Sequence, residues 1–196
     1  VINFFDWPIE KAREYEEPFR MVEEKVKPER ARNNRQQYRE KWWIYGERRP
    51  GLYEAIVRLE RVLVVARTSK TVAFAFEIAG TIFSDALCVM ASDRLEIFAL
   101  LQSACHCQWA WRYSSTFKAD LRYTPSAIFE TFPFPGKLVS IRRESLPSSG
   151  QLEGCGAELD MRRAAFMRDR RCGLTSTYNG LSNPEDRDLS TDSLRE

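Results

Sequence analysis

The sequence has a single histidine, His106. Any Ser–His or Cys–His nucleophile scheme therefore has one available base and no evident partner for it. The five cysteines are odd in number and irregular in spacing, so neither a disulfide framework nor a repeated CxxC zinc site is written into the chain. Cys105-His106-Cys107 resembles a metal site at first sight, but it falls in a predicted helix, where successive side chains diverge. His106 is expected at the surface or in a capping role. Glycine is sparse, at nine residues, and none are grouped into a phosphate-cradling loop. Glu77 and Asp85 lack the lysine that accompanies carboxylates in magnesium nucleases. No apolar run approaches the roughly 20 residues needed to span a membrane. Val1–Phe5 is followed at once by Asp6 and Pro8, unlike a signal peptide. These absences predict a cytoplasmic protein with free thiols, no metal and no membrane partner.

The formal charge is only +2 over 196 residues. The excess is concentrated: Arg20 to Arg49 holds ten cations against five anions, while the C-terminal tail is rich in Asp and Glu. With 43% hydrophobic residues the chain can build a core.

Glu29–Tyr45 has no glycine or proline and reads as a helix. It would place Arg32, Arg35 and Arg39 on one face and Tyr38, Trp42 and Tyr45 on another. A short helix, Leu52–Leu59, follows Pro50-Gly51. Arg61–Ala66 is a continuous apolar run, as in a strand buried on both faces. Val72–Phe76 alternates with period two, and Ala86–Ala91 is a third strand. A helix is expected from an acidic cap at Asp93 and Glu96 to about Tyr113. Ser114–Pro135 is an irregular, aromatic-rich stretch. The expected fold is therefore α+β: a small mixed or antiparallel sheet packed with helices, plus a C-terminal helical extension. The expected division is a recognition domain over 1–135, a linker over 136–156 rich in Ser, Gly and Pro, and a helical tail over 157–196. Within the tail, 158–171 is a basic helix, and residues after Asn179 are expected to be poorly ordered.

Several ordered motifs carry a resemblance. They are Ile2-Asn3-Phe4-Phe5-Asp6-Trp7-Pro8, Trp42-Trp43, Arg48-Arg49-Pro50-Gly51-Leu52-Tyr53-Glu54-Ala55-Ile56, and Arg67-Thr68-Ser69-Lys70. Next come Leu101-Gln102-Ser103 with Trp109, Leu121-Arg122-Tyr123-Thr124-Pro125-Ser126, and Phe129-Glu130-Thr131-Phe132-Pro133-Phe134-Pro135. Gly173-Leu174-Thr175-Ser176-Thr177-Tyr178-Asn179 closes the series. Together they resemble the target-recognition region and helical tail of MmeI-like (type IIL, within type IIG) adenine-specific DNA methyltransferases. The resemblance implies double-stranded DNA as partner. It also implies a methyltransferase domain elsewhere in a parent polypeptide, and S-adenosylmethionine as that parent's cofactor. The chain itself has no cofactor motif: no glycine-rich turn after a strand, and no Asn/Asp-Pro-Pro-aromatic loop to grip a flipped adenine. Gly180-Leu181-Ser182-Asn183-Pro184 replaces the family's Arg-Phe-His-Asp-Pro-like stretch, so the tail is expected to be truncated. A non-catalytic remnant, or a protein–protein scaffold without DNA binding, is the competing reading.

The connection Arg67, Thr68, Ser69, Lys70 and Thr71 is the first candidate for base reading. Its cations match guanine O6 and N7, and its hydroxyls adapt to either base type. An ordinary solvated turn is the alternative. Arg32, Arg35 and Arg39, with Lys41, are candidates for phosphate contact, unless Glu29 and Glu40 pair with them. Arg112, Lys118 and Arg122 flank the Tyr-Thr-Pro-Ser segment and are candidates to clamp the same backbone. Tyr123, Phe129, Phe132 and Phe134 are expected to be core, as are Trp42, Trp43, Trp109 and Trp111.

Overall fold

The computed structural model describes residues 1–46, 48–118, 120–135 and 150–182. The chain divides into two compact units, 1–54 and 55–196.

The first unit is built from four short helices: α1 (Ile9–Arg13), α2 (Glu16–Lys25), α3 (Lys27–Ala31) and α4 (Gln36–Glu40). Phe19 and Val22 recur at helical spacing on α2, and they bury against Phe4, Ala12 and Trp42. Trp43 packs at the edge of this cluster and donates its indole N–H to the Trp7 carbonyl at 2.9 Å. The outer face of α2 is charged, with Arg20 bridging Glu17 and Glu24.

The helix expected over 29–45 is interrupted. Asn33 Oδ1 accepts the Arg35 N–H at 2.9 Å, a local turn that competes with helix continuation. Arg32 caps the end of α3, Arg35 caps the start of α4 and Arg39 lies in the last turn of α4. The three arginines therefore do not share one helical face.

Helix α5 (Pro50–Ile56) precedes the second unit's main sheet, which has the order β3-β1-β4 and is antiparallel throughout. Its strands are β1 (Arg61–Ala66), β3 (Phe74–Ile78) and β4 (Leu87–Met90). Val62 to Val65 of the central strand are buried, as their unbroken apolar run requires. Between β1 and β3, Thr68–Ser69 forms β2, which belongs to a second antiparallel sheet of order β2-β6-β5. Its partners are β5 (Ser115–Phe117) and β6 (Asp120–Arg122). The stretch expected to be irregular thus supplies two strands and the short helix α8 (Pro125–Ile128).

The helix expected from Asp93 to Tyr113 is two helices, α6 (Leu95–Gln102) and α7 (Ala104–Tyr113). The N-cap of α6 is Arg94, one residue beyond the expected Asp93, and it makes no side-chain cap bond. Ser103 is extended, at φ −67 and ψ 154, and ends one helix while capping the next. Its hydroxyl donates to the Leu100 carbonyl at 2.7 Å and accepts the His106 N–H at 3.2 Å. A serine at this point satisfies a donor that a continuous helix would pair internally.

Helix α9 runs from Gly150 to Asp169 and α10 from Leu174 to Ser182. Residues 150–156, expected as linker, are the opening turns of α9. Residues 136–149, and the tail after Ser182, lie outside the described residues. Helix α9 packs closely along α6, where Gly156 sits against the Leu95 carbonyl.

The core of the second unit joins Leu63, Val65 and Phe74 of the main sheet to Phe98 and Leu101 of α6, and to Leu121, Tyr123 and Ile128. His106 is completely buried among them, not on the surface. Its Nε2 lies 3.2 Å from the Tyr123 hydroxyl, and its ring meets Phe74 and Phe132 edge-on. Phe134 meets both Phe129 and Phe132 edge-on at this boundary. Trp111 is the exception among the tryptophans expected inside, at 41% exposure.

Candidate nucleic-acid interface

The candidate surface starts where β1 ends. At Arg67 the chain passes from one sheet to the other, and its backbone is held from both sides. Its N–H donates to the Ala86 carbonyl at 2.7 Å, and its carbonyl accepts the Tyr123 N–H at 2.7 Å. Arg67 Nε also donates to the Asp85 carbonyl at 3.0 Å. The guanidinium is thus partly committed to the fold, and Arg67 is better described as the pivot between sheets than as a projecting side chain.

The next residues are an edge strand rather than the simple turn between strands expected from sequence. Thr68 pairs with Arg122 and Ser69 with Leu121, while Arg122 also pairs with Ser115. Directly opposed residues on neighbouring strands share a face. Thr68, Arg122 and Ser115 therefore form one row across three strands, and all three are exposed. Asp120, two residues before Arg122, lies on the same face. The intervening Leu121 and the following Tyr123 point inward and are buried.

The same alternation divides the connection. Thr68 and Lys70 are exposed, whereas Ser69 and Thr71 are half-buried and line a groove of about 420 Å³ floored by Ala66, Ala73 and Ala75. Ser69 Oγ accepts the Thr71 N–H at 3.2 Å, so this hydroxyl shapes the chain locally. The five candidates thus serve different ends: Thr68 and Lys70 face out, Ser69 and Thr71 face the groove, and Arg67 joins the sheets.

Arg112 is exposed in the last turn of α7, immediately before β5. Lys118 is exposed at the end of the β5–β6 hairpin with φ 57, a left-handed conformation that costs a side-chain-bearing residue roughly 1–2 kcal/mol. The structure therefore places Arg122 in the same row as Thr68, two groups that sequence spacing treated separately. Ser115 and Asp120 were not singled out from sequence. The signal was present in the in–out alternation of Asp120-Leu121-Arg122-Tyr123.

Arg32, Arg35 and Arg39 lie in the other unit and are not part of this row. Arg39 donates to the carbonyls of Asn33 at 2.7 Å and Asn34 at 3.1 Å. Arg35 donates to the Tyr38 hydroxyl at 3.3 Å, with its guanidinium 5.5 Å from that ring. Glu40 accepts from Gln36 at 2.6 Å.

Among the described residues no group of three or more His, Cys, Asp or Glu side chains is gathered to hold a metal, and none of the five cysteines is in a disulfide. No described helix is long and apolar enough to cross a membrane. Among the described residues no glycine-rich turn follows any strand.

These features define an α+β fold with a polar row across the strands of its second sheet. The family model described as "MmeI, target recognition domain" matches residues 8–136, and the chain belongs to that family. Among solved structures it is similar to the type IIL restriction-modification enzyme MmeI in complex with DNA, at 17% identity and a TM-score of 0.62. That match covers 99% of this chain and 24% of the other, so the chain spans about a quarter of that enzyme's length. No curated protein matches.

Proposed function

We propose that this chain reads the sequence of a DNA duplex for a restriction–modification enzyme that methylates adenine at N6, with the catalytic domain and its S-adenosylmethionine lying outside these residues. The observation that carries the reading is the exposed row Thr68–Arg122–Ser115, extended by Lys70 and Asp120. It offers donors and acceptors of both signs on a backbone fixed by Arg67 and Tyr123. A plain phosphate clamp would be uniformly cationic. A mixed row suits base edges, where Arg or Lys bonds guanine, Asp accepts from cytosine, and Ser or Thr adapts. Arg112 and Lys118, at the two ends of the same hairpin region, are placed for phosphate contact, which sets position without reading sequence.

The test is selection of duplexes by this chain from a randomised pool, with binding measured at low and moderate salt. The expected result is enrichment of fixed bases, on an affinity that falls with salt as counterions are released. A folded chain that binds no duplex at either salt refutes the proposal and favours the scaffold reading.

Arg122→Ala and Lys70→Ala are expected to relax preference at individual base positions, each by about 1–3 kcal/mol of discrimination. Both residues are exposed, so the melting temperature should hardly move. An equal loss on every sequence, with a salt slope shallower by about one, would assign that residue to a phosphate instead.

A further inference from the structure

Arg163 is a charged residue of helix α9 with only 5% exposure. It pairs with Asp160 at 2.9 Å and donates to the Tyr178 hydroxyl at 3.5 Å. Its guanidinium lies 5.0 Å from the Phe98 ring, and its Nη1 donates to the main-chain carbonyl of Phe74. Phe74 is the first residue of β3, where the connection that began at Arg67 ends.

Gln102 acts on the same stretch. Its side-chain carbonyl accepts the Phe74 N–H at 2.8 Å, and its amide donates to the Val72 carbonyl at 3.0 Å. Residues 72–73 belong to no strand, and one glutamine supplies the two bonds that a neighbouring strand would supply. The connection is thus clamped at both ends, by Ala86 and Tyr123 at Arg67, and by Gln102 and Arg163 at Val72–Phe74.

Anchoring α9 does not need a buried cation. Gly156 already allows close approach, and Leu152 and Leu159 already pack on the core. Burying a guanidinium is costly unless it is fully engaged. What this one adds over a methionine is a donor aimed at one main-chain carbonyl.

We propose that Gln102 and Arg163 are positioning residues for specificity, holding the connection so that Thr68 and Lys70 meet base edges in one register. Helix α9 thereby becomes part of the reading apparatus, and Tyr178 of α10 contributes by bonding Arg163. This rests on the reading of Thr68 and Lys70 as base-facing.

The experiment repeats the randomised-duplex selection with Arg163→Met, Gln102→Met and, as a destabilised core control whose side chain makes no hydrogen bond to the connection, Ile128→Val. Each chain's affinity for the wild-type-enriched duplex is then compared with that for a scrambled one. Both Met variants should lose at least about fivefold in discrimination, the low end of what one well-placed base contact provides. Their low-salt affinity for the scrambled duplex, set by phosphates, should stay within about twofold. Ile128→Val should melt lower yet discriminate like wild type. If Arg163→Met does not fold, Gln102→Met decides the matter alone. A wild-type chain that enriches nothing refutes the recognition reading and this one with it. A discriminating wild type whose folded Met variants discriminate equally, or lose no more than the control does, refutes the positioning role alone.

Discussion

Gly156→Ala lowers the melting temperature of this chain, whereas Gly154→Ala, two residues earlier on the same helix, raises it. Helix propensity alone predicts a gain of about 1 kcal/mol at both positions. The surroundings differ. A Cβ on Gly154 would meet nothing within 4 Å. A Cβ on Gly156 would lie 2.2 Å from the Leu95 carbonyl oxygen and 2.9 Å from its carbon. These are main-chain atoms in the first turn of α6 and cannot swing aside as a side chain would, so α9 must move off α6. The expected cost is on the order of 3 kcal/mol, the upper range for overpacking. Thermal unfolding of the two variants beside wild type checks both signs. A rise in both would show that the helices do not cross as closely as the structure has them.

The second large effect is a loss of stability in acid that depends on His106. Burial holds this imidazole well below its usual range, down to about 4, opposed only in part by the Leu101 backbone. Between pH 6.5 and 4 the unfolded chain therefore binds a proton at this site that the folded chain does not. Stability from this group is fully present above pH 6.5 and falls as the pH drops towards 4. At about 1.4 kcal/mol per pH unit the loss is on the order of 3 kcal/mol. His106→Gln has a side chain that can bond the Tyr123 hydroxyl but cannot take up this proton. Its stability-versus-pH curve, from urea unfolding at several pH values, should be flatter than wild type across this window. Parallel curves would mean that His106 is hydrated in the folded protein.

Much of the fold was legible in the sequence. The apolar run Arg61–Ala66 gave the central strand to the residue, and β3 and β4 were displaced by at most two residues. The two helices that were mis-joined share one cause. Asn33 and Ser103 each satisfy backbone donors with a short side chain, and such local bonds end a helix without the glycine or proline that pattern reading relies on. The second sheet was hidden for a different reason. β2 is two residues long and its partner lies more than fifty residues away, so no local period announces it. The connection was picked out by its polar composition, but its division into outward and groove-facing residues depends on that distant pairing. The burial of His106, expected at the surface or in a capping role, was not legible locally because its partner, Tyr123, is seventeen positions on.

The wide separation of β2 from β6 also bears on when the reading surface comes into being. Closing a loop of this length costs entropy that local contacts repay first, so the pairing of β1 with β3 and β4 is expected to form ahead of it. The row Thr68–Arg122–Ser115 is therefore expected to assemble after the main sheet and to open before it. Amide protons on β2 should exchange faster than those on β1. On the proposed function, a nascent or half-denatured chain would lack the means to tell one duplex from another until its second sheet had closed, which would couple discrimination to completed folding.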